Sequence, residues 1–202
     1  LMTFEVGKRA IDFLIENSGS RHNLEVDFFG GEPLMNFEVV KRITAYARER
    51  EKETGKHFRF TLTTNGMLVD DDVIDFADRE MDNVVMSLDG RKEVNDRFRK
   101  TAGGKGSFDV IVPKFQRFAK ARGEKDYYIR GTFTHLNPDF MKDIEVMLGL
   151  GFDRLSMEPV VCSSDSPYAL TEEDKQIVHR KYELLAEKMI ECDEKNTPFV
   201  FY

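Results

Sequence analysis

Short apolar segments alternate with longer amphipathic segments along the chain, and this alternation limits the possible folds more than any other feature. The short runs are bounded by turn-forming residues, as is typical of buried strands, whereas the longer segments space their apolar residues at helical intervals. Strands are predicted at residues 24–29, 58–63, 84–88, 127–133, 154–157 and 199–202. Helices are predicted at residues 3–17, 36–55, 70–79, 108–122, 138–150 and 171–193. This pattern predicts the α/β class.

Helical connections between successive strands predict βα units that lie in a parallel sheet. About five to six such units fit in the chain, which is fewer than the eight of a closed barrel. We therefore expect a partial parallel (β/α) barrel that occupies residues 1–202 as one domain. The polar, glycine-bearing residues 91–107 interrupt the alternation, and we expect a mobile loop there.

Glycine-bearing or polar clusters follow the predicted strands at their carboxyl ends. Because these ends converge at one edge of a parallel barrel, the clusters are expected to form a single rim that holds a site. Taken alone, Asn65-Gly66 and Asp89-Gly90 are ordinary turn pairs, and Arg130 is suited to an ion pair with Asp89 or Glu158. The clusters are Gly30-Gly31-Glu32-Pro33, Thr63-Thr64-Asn65-Gly66, Ser87-Leu88-Asp89-Gly90, Arg130-Gly131-Thr132 and Glu158-Pro159.

The rim residues suit a ligand that carries both an ammonium group and a carboxylate. Gly30 and Gly31 leave backbone carbonyls unshielded, and Glu32 adds a carboxylate, so this segment can bind an ammonium group. Arg130 and Ser87 offer a guanidinium and a hydroxyl to a carboxylate. The sequence therefore predicts a ligand that resembles an amino acid.

The same segments resemble the radical S-adenosylmethionine (SAM) superfamily. Gly30-Gly31-Glu32-Pro33 is similar to the motif that holds the SAM amino group in those enzymes. The order of Thr64-Asn65-Gly66, Ser87-Leu88-Asp89-Gly90 and Arg130 resembles the subgroup with a SPASM extension, which includes anaerobic sulfatase maturases and peptide-modifying enzymes. Residues 60–66, 128–135 and 157–161 are most similar to maturases of six-cysteine (SCIFF) peptides.

The resemblance implies a SAM-binding role, and no acid–base role, for each rim residue. Ser87 and Arg130 would bind the SAM carboxylate, and the glycines and Glu32 its amino group. Asn65 and Asp89 would lie near the ribose or the substrate. The backbone of residues 158–161, with Glu158 and Val160, would lie near the adenine.

In the intact enzyme, the resemblance implies a reduced four-iron cluster that donates an electron to SAM. SAM then cleaves to methionine and a deoxyadenosyl radical, which abstracts a hydrogen atom from the substrate. For a SCIFF-type maturase, the partner is a cysteine-rich precursor peptide and the product is a thioether between a cysteine and an α-carbon.

The sequence departs from this family at the cluster ligands. The CxxxCxxC loop of the family is absent and would precede Leu1, and the accessory cysteines would follow Tyr202. Cys162 and Cys192 are too few and too far apart to replace a loop that supplies three closely spaced thiolates. We therefore expect part of a longer enzyme that holds no metal, binds SAM weakly at best and is inactive alone.

Two other interpretations remain open at this stage. One is a barrel hydrolase or lyase that uses Glu32, Asp89 and Glu158 as rim carboxylates, although the glycines before Glu32 are then unexplained. The other is a noncatalytic scaffold that binds peptides. Binding of SAM distinguishes the radical SAM interpretation from both of these.

Composition excludes two classes of partner and favours one compartment. The formal net charge of −7 argues against nonspecific binding to nucleic acid. No apolar run approaches the roughly 20 residues of a membrane span, which argues against a membrane partner. Two distant cysteines are typical of free thiols in a reducing cytoplasm.

Overall fold

The computed structural model describes residues 1–202, and its six strands form one parallel sheet with the order β1-β2-β3-β4-β5-β6. The strands are β1 (Asn23–Phe28), β2 (His57–Thr64), β3 (Asn83–Ser87), β4 (Asp126–Phe133), β5 (Arg154–Pro159) and β6 (Val200–Phe201). The helices are α1 (Phe4–Asn17), α2 (Phe37–Thr54), α3 (Asp71–Glu80), α4 (Lys92–Phe98), α5 (Phe108–Arg122), α6 (Met141–Gly149) and α7 (Glu172–Glu194), with a 3-10 helix at Pro33–Asn36. The predicted α/β class and the partial parallel barrel are confirmed.

Side chains cap the starts of three helices. The side chains of Thr3 and Asp70 accept backbone N–H groups of the first turns of α1 and α3, which would otherwise lack partners. Thr171 and Asp174 form a capping box at the start of α7. Asn36 precedes α2 but makes no capping hydrogen bond, because its amide instead donates to a backbone carbonyl before α1.

The chain divides into two compact units, Leu1–Val85 with Ala121–Asp126, and Met86–Lys120 with Tyr127–Tyr202. The core of the first unit is rich in aromatic side chains, as the abundance of Phe suggests. Phe58 and Phe60 on β2 are fully buried, and the ring of Phe28 on β1 stacks on Phe60 with centroids 5.8 Å apart.

A buried guanidinium holds the end of α3 in the first unit. Arg122 is 2% exposed, and its N–H groups donate to the carbonyls of Ala77, Met81, Asp82 and Asp126 at 2.8–3.1 Å. The carbonyls at a helix C-terminus have no partner within the helix, so this side chain satisfies groups that burial would otherwise leave without hydrogen bonds.

Residues 91–107 do not form the one continuous loop that the sequence predicts, and the mobility of this segment stays a prediction. Residues Lys92–Phe98 form α4, and the Asn95 side chain is fully buried and donates to the Ser107 hydroxyl. Arg91 before this helix donates hydrogen bonds to Asp139 and to the buried Asp143. Local polarity suggested a loop because the partners of these polar groups lie elsewhere in the chain.

None of the helices has the length and apolar character needed to cross a membrane.

Replacing Arg122 with Met should lower the free energy of unfolding by about 3 kcal/mol, because several buried carbonyls lose their donors together. Urea denaturation of the chain measures this change. The matched control is Arg9→Met on the exposed face of α1, which should change stability by about 0.5 kcal/mol or less. Equal effects of the two substitutions would contradict the role of Arg122.

Candidate functional site

The segment after β1 exposes its backbone, because two glycines occupy it. Gly30 adopts a φ of +133°, a conformation that side chains disfavour, and no atom lies within 4 Å of the position that a Cβ would take at Gly30 or Gly31. Both residues are exposed. The peptide groups of Gly30 and Gly31 are therefore open to a ligand from the side that a side chain would otherwise cover.

The Glu32 carboxylate holds this segment against the end of β2. Its Oε1 atom accepts the Leu34 N–H at 3.1 Å and the Thr64 hydroxyl at 3.0 Å, and Oε2 accepts the Asn65 N–H at 2.7 Å. The Asn65 side chain in turn accepts the Met67 N–H at 3.0 Å. Glu32 and Asn65 thus lie together, as predicted, but the carboxylate is largely committed to protein donors.

A cavity of about 660 Å³ opens beside this segment within the first unit. Gly31, Glu32 and Asn65 contribute to its wall, and most of the remaining lining comes from apolar side chains of α1, β1 and α2. The polar groups of the Gly30–Glu32 segment therefore border an apolar cleft.

In the second unit, Asp89 lies in the interior and not at an open surface. It is 2% exposed, and its two oxygens accept the Arg99 guanidinium bidentately, with both N–O distances at 2.8 Å. The backbone N–H of Thr132 donates to the same carboxylate at 3.0 Å. Asp89 therefore has little capacity left for the ribose or substrate contact that the resemblance implies.

Arg130 on β4 forms a bidentate ion pair with Glu158 on β5, one of the two partners considered from sequence. The Arg130 Nε atom lies 2.9 Å from Glu158 Oε1, and a second N–H donates to Oε2. The hydrogen bonds to Glu158 raise the pKa of Arg130 further above its usual value. About two fifths of each side chain is exposed, so the pair is accessible to a competing anion.

Two further rim residues of the second unit are Ser87 and Gly131. The Ser87 hydroxyl, at the end of β3, makes no hydrogen bond within the protein. Gly131 permits a close approach of neighbouring strands, because a Cβ there would meet the Leu88 carbonyl oxygen at 2.8 Å and the Met157 sulfur at 2.3 Å.

A smaller cavity of about 260 Å³ borders Asp89. It contains one further predicted site residue, Val160, whose backbone N–H donates to the Phe133 carbonyl. Thr132 also belongs to a predicted rim cluster, whereas sequence reasoning missed the rest of the wall. These remaining members are Phe98, Arg99, Thr134 and Tyr168.

The carboxylates proposed for a hydrolase do not form an acid–base pair. Glu32, Asp89 and Glu158 each accept at least two hydrogen bonds from protein groups, and Asp89 is buried in its ion pair. A general acid or base needs a proton-transfer position open to the substrate. The arrangement disfavours that interpretation.

The side chains do not fit an iron–sulfur cluster. Cys162 is exposed and Cys192 is half-buried, and both are free thiols. No group of three or more His, Cys, Asp or Glu side chains is placed to hold a metal ion. A cluster that needs three or four thiolates has no binding site among these residues.

Comparison with known proteins identifies the family. Residues 2–151 match the model of the radical SAM superfamily. This chain belongs to the radical SAM superfamily. The superfamily resemblance inferred from the rim motifs is confirmed, whereas the SPASM subgroup and the SCIFF specificity remain predictions.

Two curated relatives align with the chain at the same level of identity. An Fe-coproporphyrin III synthase of Methanosarcina barkeri is 30% identical over 207 residues, which is 98% of this chain and 46% of that protein. A cysteine-type anaerobic sulfatase-maturating enzyme of Clostridium novyi is 30% identical over 94 residues, which is 46% of this chain and 25% of that enzyme. The chain thus spans less than half the length of these radical SAM relatives.

Among solved structures, anSMEcpe with bound AdoMet and the Cp18Cys peptide has the same fold. Its TM-score is 0.85 at 19% identity, and the match covers 100% of this chain and 56% of that one.

Replacing Glu32 with Gln should loosen the segment after β1, because an amide nitrogen then faces N–H and O–H donors in place of an acceptor. Loss of about 1.4 kcal/mol of local stability would speed amide exchange about tenfold. Hydrogen exchange followed by NMR measures the exchange rates of the Leu34 and Asn65 amides. Glu25→Gln on the exposed face of β1 is the control. Unchanged exchange at both amides in Glu32→Gln would contradict the assigned role of the carboxylate.

Proposed function

We propose that this chain is the SAM-binding core of a radical SAM enzyme that modifies a ribosomally made peptide. The observation that carries the SAM part is the open backbone at Gly30 and Gly31, which Glu32 holds in place through three hydrogen bonds. When bound, SAM supplies the radical chemistry, and the residues of this chain bind and orient it.

SAM carries an ammonium group and a carboxylate, and the chain offers groups suited to each. The carbonyls of the glycine segment suit the amino group, with Glu32 as the residue that fixes their position. Arg130 can exchange its Glu158 partner for a carboxylate, and the Ser87 hydroxyl can donate to the same group. Asn65 lies near the ribose, and the backbone around Val160 lies near the adenine.

The proposed substrate is a cysteine-containing peptide, and the proposed product is a thioether. Support comes from the fold. The structure of anSMEcpe contains a bound peptide named Cp18Cys, and its fold matches 100% of this chain. The motif order of Thr64–Gly66, Ser87–Gly90 and Arg130 supports a SPASM-type maturase close to the SCIFF maturases. An anaerobic sulfatase maturase is the alternative within the same class, favoured by the C. novyi relative.

Catalysis requires cluster ligands that these 202 residues do not contain. We propose that the isolated chain binds SAM without cleaving it. We also propose a reducing cytoplasmic setting, which its two free cysteines support. Anaerobic reconstitution with iron and sulfide should leave the chain free of stoichiometric iron. Cluster absorbance with stoichiometric iron would contradict this part of the proposal.

A second candidate function is the formation of an iron porphyrin. It is favoured by one observation, the alignment of 98% of this chain with an Fe-coproporphyrin III synthase. Titration of the chain with Cp18Cys peptide and with Fe-coproporphyrin III, each in the presence of SAM, separates the two candidates. Binding of the peptide alone supports the first, and binding of the porphyrin alone supports the second.

In the full-length protein, Arg130→Ala should weaken SAM binding about tenfold to a hundredfold, because a charge-assisted hydrogen bond to a carboxylate contributes about 1.5–3 kcal/mol. Arg130→Lys should recover only part of this affinity, since an ammonium group lacks the planar fork. Calorimetric titration measures the SAM affinity of each variant, and a thermal melt verifies that the variant is folded. Normal SAM affinity in a folded Arg130→Ala variant would reduce Arg130 to a structural ion pair with Glu158.

Glu158→Gln is the matched control for this experiment. It removes the competing carboxylate and keeps the side-chain shape, so it should leave SAM affinity unchanged or raise it. A loss of affinity as large as that of Arg130→Ala would indicate that the ion pair supports the fold and does not yield to the ligand.

A further inference from the structure

An aspartate–histidine pair lies at the carboxyl end of β4 and takes no part in the proposed SAM contacts. His135 follows the last residue of β4 by two positions, and its Nδ1 atom lies 2.7 Å from Asp174 Oδ2. The backbone N–H of His135 donates to the carbonyl of Tyr168 at 3.1 Å. Tyr168 and the neighbouring Thr134 both line the 260 Å³ cavity, so the histidine is attached directly to the wall of that cavity.

The carboxylate of this pair is fixed before any ligand binds. Asp174 is 4% exposed and is the third residue of α7. Its Oδ2 atom also accepts the Thr171 backbone N–H and the Thr171 hydroxyl, both at 2.8 Å. Burial raises the pKa of Asp174, but hydrogen bonds from the Thr171 N–H and from His135 outweigh it and bring the pKa below its usual value. Asp174 is therefore ionised at neutral pH.

An ionised Asp174 determines which nitrogen of His135 carries the proton. A carboxylate without a proton can only accept, so the Nδ1 atom of the neutral imidazole must donate to it. The Nε2 atom is then the unprotonated nitrogen. Nearly half of the His135 side chain is exposed, at 46%, so the ring is reachable by a ligand. An imidazole oriented by a buried carboxylate in this way is equipped to accept a proton.

We propose that His135, oriented by Asp174, is a proton-accepting site for a cysteine thiol of the bound peptide. The inference rests on the proposed peptide function. The thiol proton moves to Nε2, the sulfur keeps the bonding electron pair as a thiolate, and the imidazolium later returns the proton to solvent. No electron is gained or lost in this step, and it needs no further reactant.

The first test examines the isolated chain without any ligand. Side-chain ¹⁵N NMR should find His135 with the proton on Nδ1, and Asp174→Asn should remove this preference. His179 is an internal control, because it faces Glu183 at 3.4 Å on the exposed surface of α7 and should show no such fixed tautomer. A His135 ring protonated on Nε2 in the unmodified chain would overturn the proposal.

The second test follows the thiol itself. A free cysteine is only a few per cent thiolate at neutral pH, so transfer of its proton to His135 should speed alkylation of bound Cp18Cys by iodoacetamide about tenfold. Mass spectrometry of the peptide separates this reaction from alkylation of Cys162. His135→Gln keeps a hydrogen-bond donor but cannot accept the proton, so it should bind the peptide normally without the faster alkylation. His179→Gln should behave as the unmodified chain does.

The outcomes separate this inference from the function on which it rests. Normal peptide binding with equal alkylation rates in the unmodified chain and in His135→Gln would overturn the role of His135 and leave the peptide function standing. Failure of the unmodified chain to bind the peptide would overturn both the role of His135 and the proposed peptide function. Thermal melts of each variant verify that the compared proteins are folded.

Discussion

A sheet with buried strands restricts polar chemistry to the ends of its strands. The interior of this sheet is formed by side chains such as Phe60, Leu62, Met86 and Ile129, all fully buried, and no charged group can be accommodated there without a partner. Polar residues therefore appear where the strands stop, as at Thr64, Ser87 and Thr134. The candidate contacts at Gly30, Asn65 and Ser87 follow from that restriction. Arg130 lies within β4 instead, where its ion pair with Glu158 accommodates the charge.

Carboxylates at the strand ends mainly organise the loops. Glu32 joins the segment after β1 to the end of β2, and Asp89 joins Arg99, directly after α4, to β4. Asp174 joins α7 to the end of β4. Each carboxylate accepts at least one backbone N–H group that would otherwise lack a partner, and these hydrogen bonds hold loops of irregular structure in place. The surfaces open to a ligand are then made by glycine backbone, hydroxyls and a guanidinium.

Sequence patterns predicted the elements of the fold well because local signals specify them. The alternation of apolar segments indicated the six strands, and the limits of α5 agree with the prediction. The helix within residues 91–107 was missed because it depends on distant partners, with Arg91 bound to Asp139 and Asp143. For the site, motif spacing indicated which residues were important, but it did not reveal that the carboxylates of Glu32 and Asp89 are already occupied. The pairing of His135 with Asp174, 39 residues away, left no pattern that spacing could detect.

Gly131 has a consequence for how this chain can vary through evolution. Its missing side chain sets the distance between β4 and the carbonyl of Leu88, and Met157 fills the remaining space from β5. Even a methyl group at this position would have to displace a backbone oxygen, which is far harder to move than the end of a flexible side chain. The substrate of a descendant enzyme can change through its loops and its cavity walls, while position 131 stays closed to substitution for reasons unrelated to the substrate. Variation at position 131 is therefore limited by the packing of the Leu88 carbonyl and Met157 against β4.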